Sequence, residues 1–164
     1  MKRIYSNRPL VRRMHASTAV VVFAFLFGLY ELWAAVGAGP EGSGYGYLFA
    51  LLFIGGSIYG MRQLMAEHAG WVTAIDADSG TGRSVIFVWR PVVSRQIAGG
   101  LDRLQNWRYE VVDVRRNLKA PMLLADHPDR PKPLKLELGK GIVATDELRA
   151  LAPRAFAKYE AAPL

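Results

Sequence analysis

The chain has 164 residues, of which 51% are hydrophobic, and a formal net charge of +7 at pH 7. It contains no Cys, which excludes disulfides, thiolate metal sites and a Cys nucleophile but leaves the redox compartment open. Beyond the two long apolar stretches described below, about 100 residues remain, which is enough for one small domain and too few for two.

The first 15 residues form a basic leader ahead of the first apolar stretch. Cytoplasmic flanks of membrane spans carry an excess of Lys and Arg, and each such base contributes about 1 kcal/mol of attraction to an anionic leaflet. We therefore expect the leader to lie along lipid headgroups, or to act only as a topology determinant without a specific lipid partner. The bases that we expect to contact the leaflet are Lys2, Arg3, Arg8, Arg12 and Arg13.

Two apolar stretches follow, at residues 16–38 and 42–61, and together they predict a transmembrane hairpin over residues 16–66. A helix crosses the hydrocarbon core of a bilayer with about 20 apolar residues. The connecting loop carries Glu41 and no base, so the charge bias predicts a two-span protein of the bacterial inner membrane with both termini cytoplasmic. The alternative for the first stretch is a cleaved signal peptide.

Small residues on the hairpin predict close helix packing. Gly56 and Gly60 form a Gly-x-x-x-Gly pattern in the second stretch, and Gly28 offers a small site in the first. Such positions let helix backbones approach closely. The pattern is consistent with packing of the two spans against each other and with docking onto another membrane subunit.

Three ionisable residues near the spans raise a redox or proton-handling alternative. Glu31 lies near the outer end of the first span, and His15 and His68 lie at the inner ends. An ionisable group at membrane depth is costly and therefore a functional candidate. Two His residues specify a haem or metal site only weakly, and their polar neighbours favour a solvated interface. We therefore expect no cofactor and no metal.

The remaining residues, 67–164, predict a mainly-β cytoplasmic domain. Short segments rich in β-branched and aromatic residues alternate with turn residues, whereas 91–105 is either a long loop or a short helix. A C-terminal helix is predicted after Thr145, with a stripe of Leu148, Leu151, Ala155 and Phe156 and a kink or restart at Pro153. The predicted strands are 71–76, 84–90, 107–114, 122–125 and 134–138.

The order of these elements, from Ala16 to Leu164, resembles that of bacterial membrane-anchored pleckstrin-homology-like proteins. In those proteins a two-span hairpin precedes a cytoplasmic β domain that is capped by a helix. The resemblance implies a small sandwich or partly open barrel of about five strands with a C-terminal helix. It assigns no functional residue, and a fold alone does not define a function.

No catalytic motif follows from the sequence, and we expect a protein that is not an enzyme. The run from Gly80 to Ser84 lacks the Gly-Lys-Ser/Thr ending of a phosphate loop and lies between predicted strands. The acidic pairs Asp76 with Asp78 and Asp126 with Asp129 lie in predicted turns, where Asp commonly bonds its own backbone.

Bases in the β domain predict a contact surface. Interspersed acids argue against a nucleic-acid interface, which usually presents a one-sided basic stripe. We therefore expect an accessory, assembly or scaffold subunit that docks on a larger membrane complex, with an anionic-lipid-sensing module as the alternative. The residues expected to contact a partner protein or lipid headgroups are Arg108, Arg115, Arg116 and Lys119.

Overall fold

The computed structural model describes residues 1–39, 44–78, 80–91, 95–98, 100–115 and 118–162, without the side chains of residues 95, 98, 114, 115 and 118. The chain divides into two compact units. One unit joins Met1–Arg12 to Ala69–Leu164, and the other is Arg13–His68. The first residues of the chain therefore belong to the same unit as its C-terminal part.

Two long helices dominate the second unit. Helix α1 spans Arg8–Gly37 and helix α2 spans Gly44–Glu67. Both are long and apolar enough to cross a membrane by length and composition, since 20 helical residues span about 30 Å. Large apolar side chains point outward from them, among them Phe23, Trp33 and Leu51, each more than 70% exposed. Such outward faces are typical of helices whose solvent is lipid.

The region that the sequence predicted to be a leader is divided between strand β1, Lys2–Ser6, and the first turns of α1, which begins at Arg8. Strand β1 pairs antiparallel with β2, Val72–Ala77, and with β8, Val143–Ala144. Ile4 and Tyr5 are almost completely buried. The N-terminal segment is thus an internal strand of a sheet whose other members follow the hairpin in sequence.

The first sheet has five strands in the order β4-β3-β2-β1-β8 and is antiparallel throughout. Strand β3 is Ser84–Val88 and β4 is Arg95–Ala98. The predicted loop or helix at 91–105 is wrong for the described residues 95–98, which pair with β3 as an edge strand. The turn between β2 and β3 is held by Asp78, which accepts hydrogen bonds from the Gly80 N–H and the Thr81 hydroxyl.

The second sheet has three antiparallel strands in the order β5-β6-β7. They are β5, Gln105–Arg115; β6, Leu118–Asp126; and β7, Leu134–Glu137. Strand β7 pairs with Met122–Ala125 of β6. Beyond Pro121 the described part of this sheet is a two-stranded ribbon, residues 111–115 with 118–120. Pro121 lies where β6 leaves its pairing with β7, a position that tolerates the missing N–H.

The C-terminal segment forms two helices, α3 at Asp146–Leu151 and α4 at Pro153–Ala161. The restart at Pro153 is confirmed, because Pro lacks the N–H that an interior position needs and is well suited to a first turn. Thr145 occupies the N-cap position of α3, but its side chain makes no cap hydrogen bond. Leu148, Ala155 and Phe156 are buried as predicted, whereas Leu151 is 44% exposed.

One hydrophobic core joins both sheets and the C-terminal helices. The chain thus has two long apolar helices and a small mainly-β domain, which consists of two antiparallel sheets and a helical C-terminal segment. The described part of this domain has more strands than the five predicted. The core includes Ile4, Tyr5, Val72, Ile75, Ile86, Leu123, Leu134, Leu136, Leu148 and Phe156.

Candidate functional site

Of the bases predicted to contact a partner, Arg115 and Lys119 lie on the β5–β6 ribbon and Arg108 lies earlier on β5. Lys119 is exposed and pairs across the ribbon with Asp113. Arg115 ends β5, while its side chain and the whole of Arg116 lie outside the described residues. Val111, on the same ribbon, is 51% exposed. The structure thus places Lys119 on an accessible surface of the ribbon.

Arg108 has a different environment, because it already belongs to an ion-pair network. Its Nη1 donates to both oxygens of Asp126, at 3.2 and 3.1 Å, and its Nε lies 3.3 Å from Glu110 Oε1. Asn106 Nδ2 also donates to Asp126. The Arg108 hydrogen bond, with a smaller contribution from Asn106, lowers the pKa of Asp126 below its ordinary value. A partner would have to compete with two carboxylates for this guanidinium.

The acidic pairs considered in the sequence have structural partners. Arg3 donates from Nε and Nη2 to the two oxygens of Asp76, at 2.7 and 3.0 Å, and this bidentate bond lowers the pKa of Asp76. Asp129 receives a similar pair of hydrogen bonds from Arg103. These carboxylates are engaged in holding strands and turns.

Close approach of the two long helices depends on Gly28 and Gly46. A Cβ at Gly28 would lie 2.9 Å from Ile54 Cγ1 and 3.0 Å from the Ile54 nitrogen, and one at Gly46 would lie 3.0 Å from the Ala35 Cβ. Both contacts are shorter than ordinary van der Waals separations. Gly28 therefore lies at the packing interface of the helices, in agreement with one of the two uses predicted for it.

The glycines of the predicted Gly-x-x-x-Gly pattern are less constrained. A Cβ at Gly60 would meet Val21 of α1 at 3.8 Å, and one at Gly55 or Gly56 would meet nothing within 4 Å among the described residues. The hairpin itself leaves room at Gly55 and Gly56. Gly55 and Gly56 thus leave a surface of α2 open to close approach by another helix, whereas Gly28 is used for packing α1 against α2.

Gly55 also lines an open groove of about 530 Å³ on α2. Within it the Gln63 Nε2 donates to the Tyr59 hydroxyl at 2.7 Å. Ile58 and Tyr59 are 52% and 65% exposed. We call this surface the α2 groove; its lining residues are Gly55, Ile58, Tyr59, Arg62, Gln63 and Ala66.

The junction of β1 and α1 is tightly built. The Asn7 Oδ1 accepts the N–H of Leu10 at 2.8 Å and caps α1, while its Nδ2 donates to Glu137 Oε2 at 3.0 Å. The Tyr5 hydroxyl donates to the Glu137 carbonyl at 2.8 Å. The pKa of Tyr5 is raised well above its ordinary value, and burial of the side chain is the largest cause. Asn7 is completely buried, so this junction fixes where the first helix starts.

Of the bases predicted to contact the leaflet, three line one cavity. Arg3, Arg8 and Arg12 border a space of about 350 Å³ at the β1–α1 junction, together with Ser6, Thr73 and Phe87. Lys2 lies elsewhere, 3.2 Å from Glu147 Oε1. Arg13 begins the other compact unit. The sequence shows that these residues are basic, but it does not show that only three of them line one cavity.

The ionisable residues of the hairpin occupy different surroundings. His15 is exposed and Glu31 half-buried, whereas His68 is only 8% exposed and its Nδ1 lies 3.0 Å from the Leu64 carbonyl oxygen. The solvated environment expected for His68 is therefore wrong. In the part of the chain that the structure describes, no three His, Cys, Asp or Glu side chains cluster in a way that could hold a metal ion.

Sequence reasoning did not single out Asn7, although one signal was present. Asn7 with Pro9 two residues later, in the first helical turn, is a recognised helix start, and it places the start of α1 well before the apolar stretch.

Comparison with known proteins adds no assignment, because no protein-family model, curated protein or solved structure matches the chain.

Proposed function

We propose that the protein is a non-catalytic accessory or scaffold subunit of the bacterial inner membrane, which docks on a larger membrane protein complex. The observation that carries the proposal is the α2 groove. It combines a glycine with open space above it, exposed apolar side chains and a hydrogen-bonded Tyr59–Gln63 pair.

A groove of this composition suits a second transmembrane helix. Lipid tails are as apolar as Leu, so helices associate in membranes through close packing at small residues and through interhelical hydrogen bonds. Gly55 supplies the small residue, and the Gln63 amide retains a free carbonyl oxygen within the described structure. At Gly28, by contrast, the space that a Cβ would occupy is already filled by Ile54.

The chain order supports the expected topology of the hairpin. β1 leads into α1, α2 leads toward β2, and β1 and β2 are paired neighbours in one sheet. A hairpin that begins and ends in the same folded unit is consistent with both termini on one side, and the basic flank favours the cytoplasmic side. The proposal includes a pleckstrin-homology-like fold for the β domain, as the order of elements in the sequence implies.

The ribbon supplies a second contact in this proposal. Lys119 is exposed on it, Arg115 ends β5, and Arg116 follows Arg115 in the sequence. A basic ribbon complements an acidic cytoplasmic surface of the partner complex, where unlike charges steer association. Arg108 contributes less, because Asp126 and Glu110 already neutralise it.

Site-specific photocrosslinking in native membranes tests the docking proposal. A photoreactive phenylalanine analogue at Ile58 should give one discrete heteromeric product, and Gly55→Leu should reduce its yield by about tenfold because the bulky side chain fills the groove. Val20→Leu is the matched control, since Val20 is a 68% exposed position on α1.

The control should leave the product yield unchanged. A product that is absent from the parent protein, or equally abundant in Gly55→Leu, would contradict docking through the groove. Thermal unfolding of each variant in detergent shows whether it retains the fold, and the open space at Gly55 predicts that Gly55→Leu does.

A further inference from the structure

The cavity at the β1–α1 junction has a charge that the surrounding structure leaves uncompensated. Arg3 is committed to Asp76 through two hydrogen bonds and lies over the Phe87 ring, with its Cζ 5.8 Å from the centroid. Arg8 and Arg12 are exposed and have no ion pair with any residue in the described part of the chain. No acidic side chain lines the cavity. Its mouth therefore carries two available guanidinium groups.

The framework of this cavity is fixed before any ligand arrives. Asn7 caps the helix that carries Arg8 and Arg12, which are one helical turn apart and so lie on one face. The Thr73 hydroxyl donates to the Phe87 carbonyl at 3.1 Å and fixes the adjoining strands. Ser6 is 8% exposed and its hydroxyl has no hydrogen-bond partner in the described structure. Such preorganisation lowers the cost of ordering side chains on binding.

The available groups match a phosphate. Two guanidinium groups can form charge-assisted hydrogen bonds with phosphate oxygens, and the Ser6 hydroxyl adds a neutral donor. The positive end of the α1 dipole lies at the same place and favours an anion. A cavity of about 350 Å³ is large enough for a phosphodiester headgroup and not only for a bare ion.

Position along α1 favours a lipid as the source of the phosphate. The uncharged apolar run begins at Ala16, four residues after Arg12, and four helical residues rise about 6 Å. The polar interfacial layer on each side of the hydrocarbon core is about 5 to 7 Å thick. Arg12 therefore falls at the depth of headgroup phosphates when the apolar run lies in the hydrocarbon core.

We propose that the cavity bordered by Arg8, Arg12 and Ser6 binds the phosphate of an anionic phospholipid headgroup. The inference rests on the membrane insertion assumed in the proposed function, but not on docking through the α2 groove. It gives the N-terminal bases a defined binding site in place of a diffuse attraction to the leaflet. Arg3 shapes this site through Asp76 and Phe87 and contributes little net charge.

Native mass spectrometry of the full chain in a neutral detergent tests the inference. The probes are dihexanoyl phosphatidylglycerol, dihexanoyl phosphatidylcholine and inorganic phosphate. The variants are R8Q/R12Q and R8E/R12E, and R154E is the matched control because Arg154 is an exposed base on α4. The parent should retain phosphatidylglycerol, and the Gln pair should weaken its retention by about tenfold or more, with a larger loss for the Glu pair.

R154E should retain phosphatidylglycerol as the parent does. Equal retention by parent and R8Q/R12Q, or equal retention of phosphatidylcholine and phosphatidylglycerol, would overturn the site. Inorganic phosphate binding as tightly as phosphatidylglycerol would overturn the lipid as the source. R8Q/R12Q keeps polar side chains and does not reverse the charge, so it remains a valid test if R8E/R12E fails to fold. The Ile58 crosslink tests docking independently of any result for lipid binding.

Discussion

The two basic regions of the first compact unit, the β1–α1 junction and the β5–β6 ribbon, have similar residue types and different structural roles. At the junction the bases stand on a buried strand and a capped helix, and Arg8 and Arg12 have no ion pair within the described structure. Next to the ribbon on β5, Arg108 is held by two carboxylates, and on the ribbon Lys119 stands opposite Asp113 in the strand register. Availability of a base therefore depends on its neighbours in space more than on local charge density.

The comparison also concerns rigidity. β1 is an internal strand with a partner on each side, whereas the distal ribbon is two-stranded in the described residues. Internal strands that bury large side chains open only with much of the domain, and ribbons open more readily. A preformed pocket suits the first region, and an adaptable protein contact suits the second.

The largest expected difference between the regions is in core packing. Ile4→Ala in β1 should destabilise the domain by about 2 to 5 kcal/mol, because Ile4 is 1% exposed and the substitution leaves a cavity between the sheets. Val111→Ala on the ribbon should change stability by no more than about 0.5 kcal/mol. Urea unfolding of the full chain in detergent, followed by Trp fluorescence, checks both, and equal losses would contradict the contrast.

A second prediction tests how the junction is capped. Asn7→Ala should cost about 1 to 2 kcal/mol, because it removes the hydrogen bond to the Leu10 N–H and the buried contact with Glu137. Thr145→Ala is the matched control at the N-cap position of α3, where the hydroxyl makes no cap bond and is buried without a partner in the described structure. It should be close to neutral by the same unfolding measurement. A loss as large as that of Asn7→Ala would show that the two caps are equivalent.

The smallest expected effect is on the pH dependence of stability. The folded-state pKa of Asp76 and of Asp126 lies below the unfolded value, so each carboxylate stabilises the fold fully above the unfolded pKa and loses that contribution as the pH falls through the folded pKa. Arg3→Gln should flatten this acid-side loss, since Arg3 is the main cause of the Asp76 shift. Arg108→Gln should flatten it less, because Asn106 still donates to Asp126.

Urea unfolding at several values between about pH 5 and pH 2 measures this difference. A steeper acid-side loss in Arg3→Gln than in the parent would contradict the assignment. Both pairs are partly exposed, so salt should reduce the effect in each.

Much of the fold follows from local pattern. Strands β2, β3 and β5 were recognised from their β-branched and aromatic residues, and β7 from the alternation of Leu134 and Leu136 with Lys135 and Glu137. The 122–125 part of β6 was also predicted, as was the restart at Pro153 from the chemistry of proline. β4 and β8 are short edge strands that carry little pattern of their own. They form because a longer neighbour offers unpaired backbone groups, which a local pattern does not show.

The candidate sites were only partly accessible to sequence reasoning. Gly28 was identified as a packing position, but its use against Ile54 and the open space at Gly55 required the register of the two helices. Arg8 and Arg12 were identified as bases near a membrane, and Arg3 with them. Only the pairing of β1 with β2 shows that Asp76 neutralises Arg3 and leaves the other two available.

By itself the sequence determined the two long apolar helices, the absence of thiol chemistry and the β character of the C-terminal part, because composition and periodicity are local properties. The tertiary structure decided that Lys2–Ser6 is a strand, since its hydrogen-bond partners lie some 70 and 140 residues away in the chain. It also decided which bases are neutralised and which remain available, because ion pairing depends on distances that only the folded chain defines.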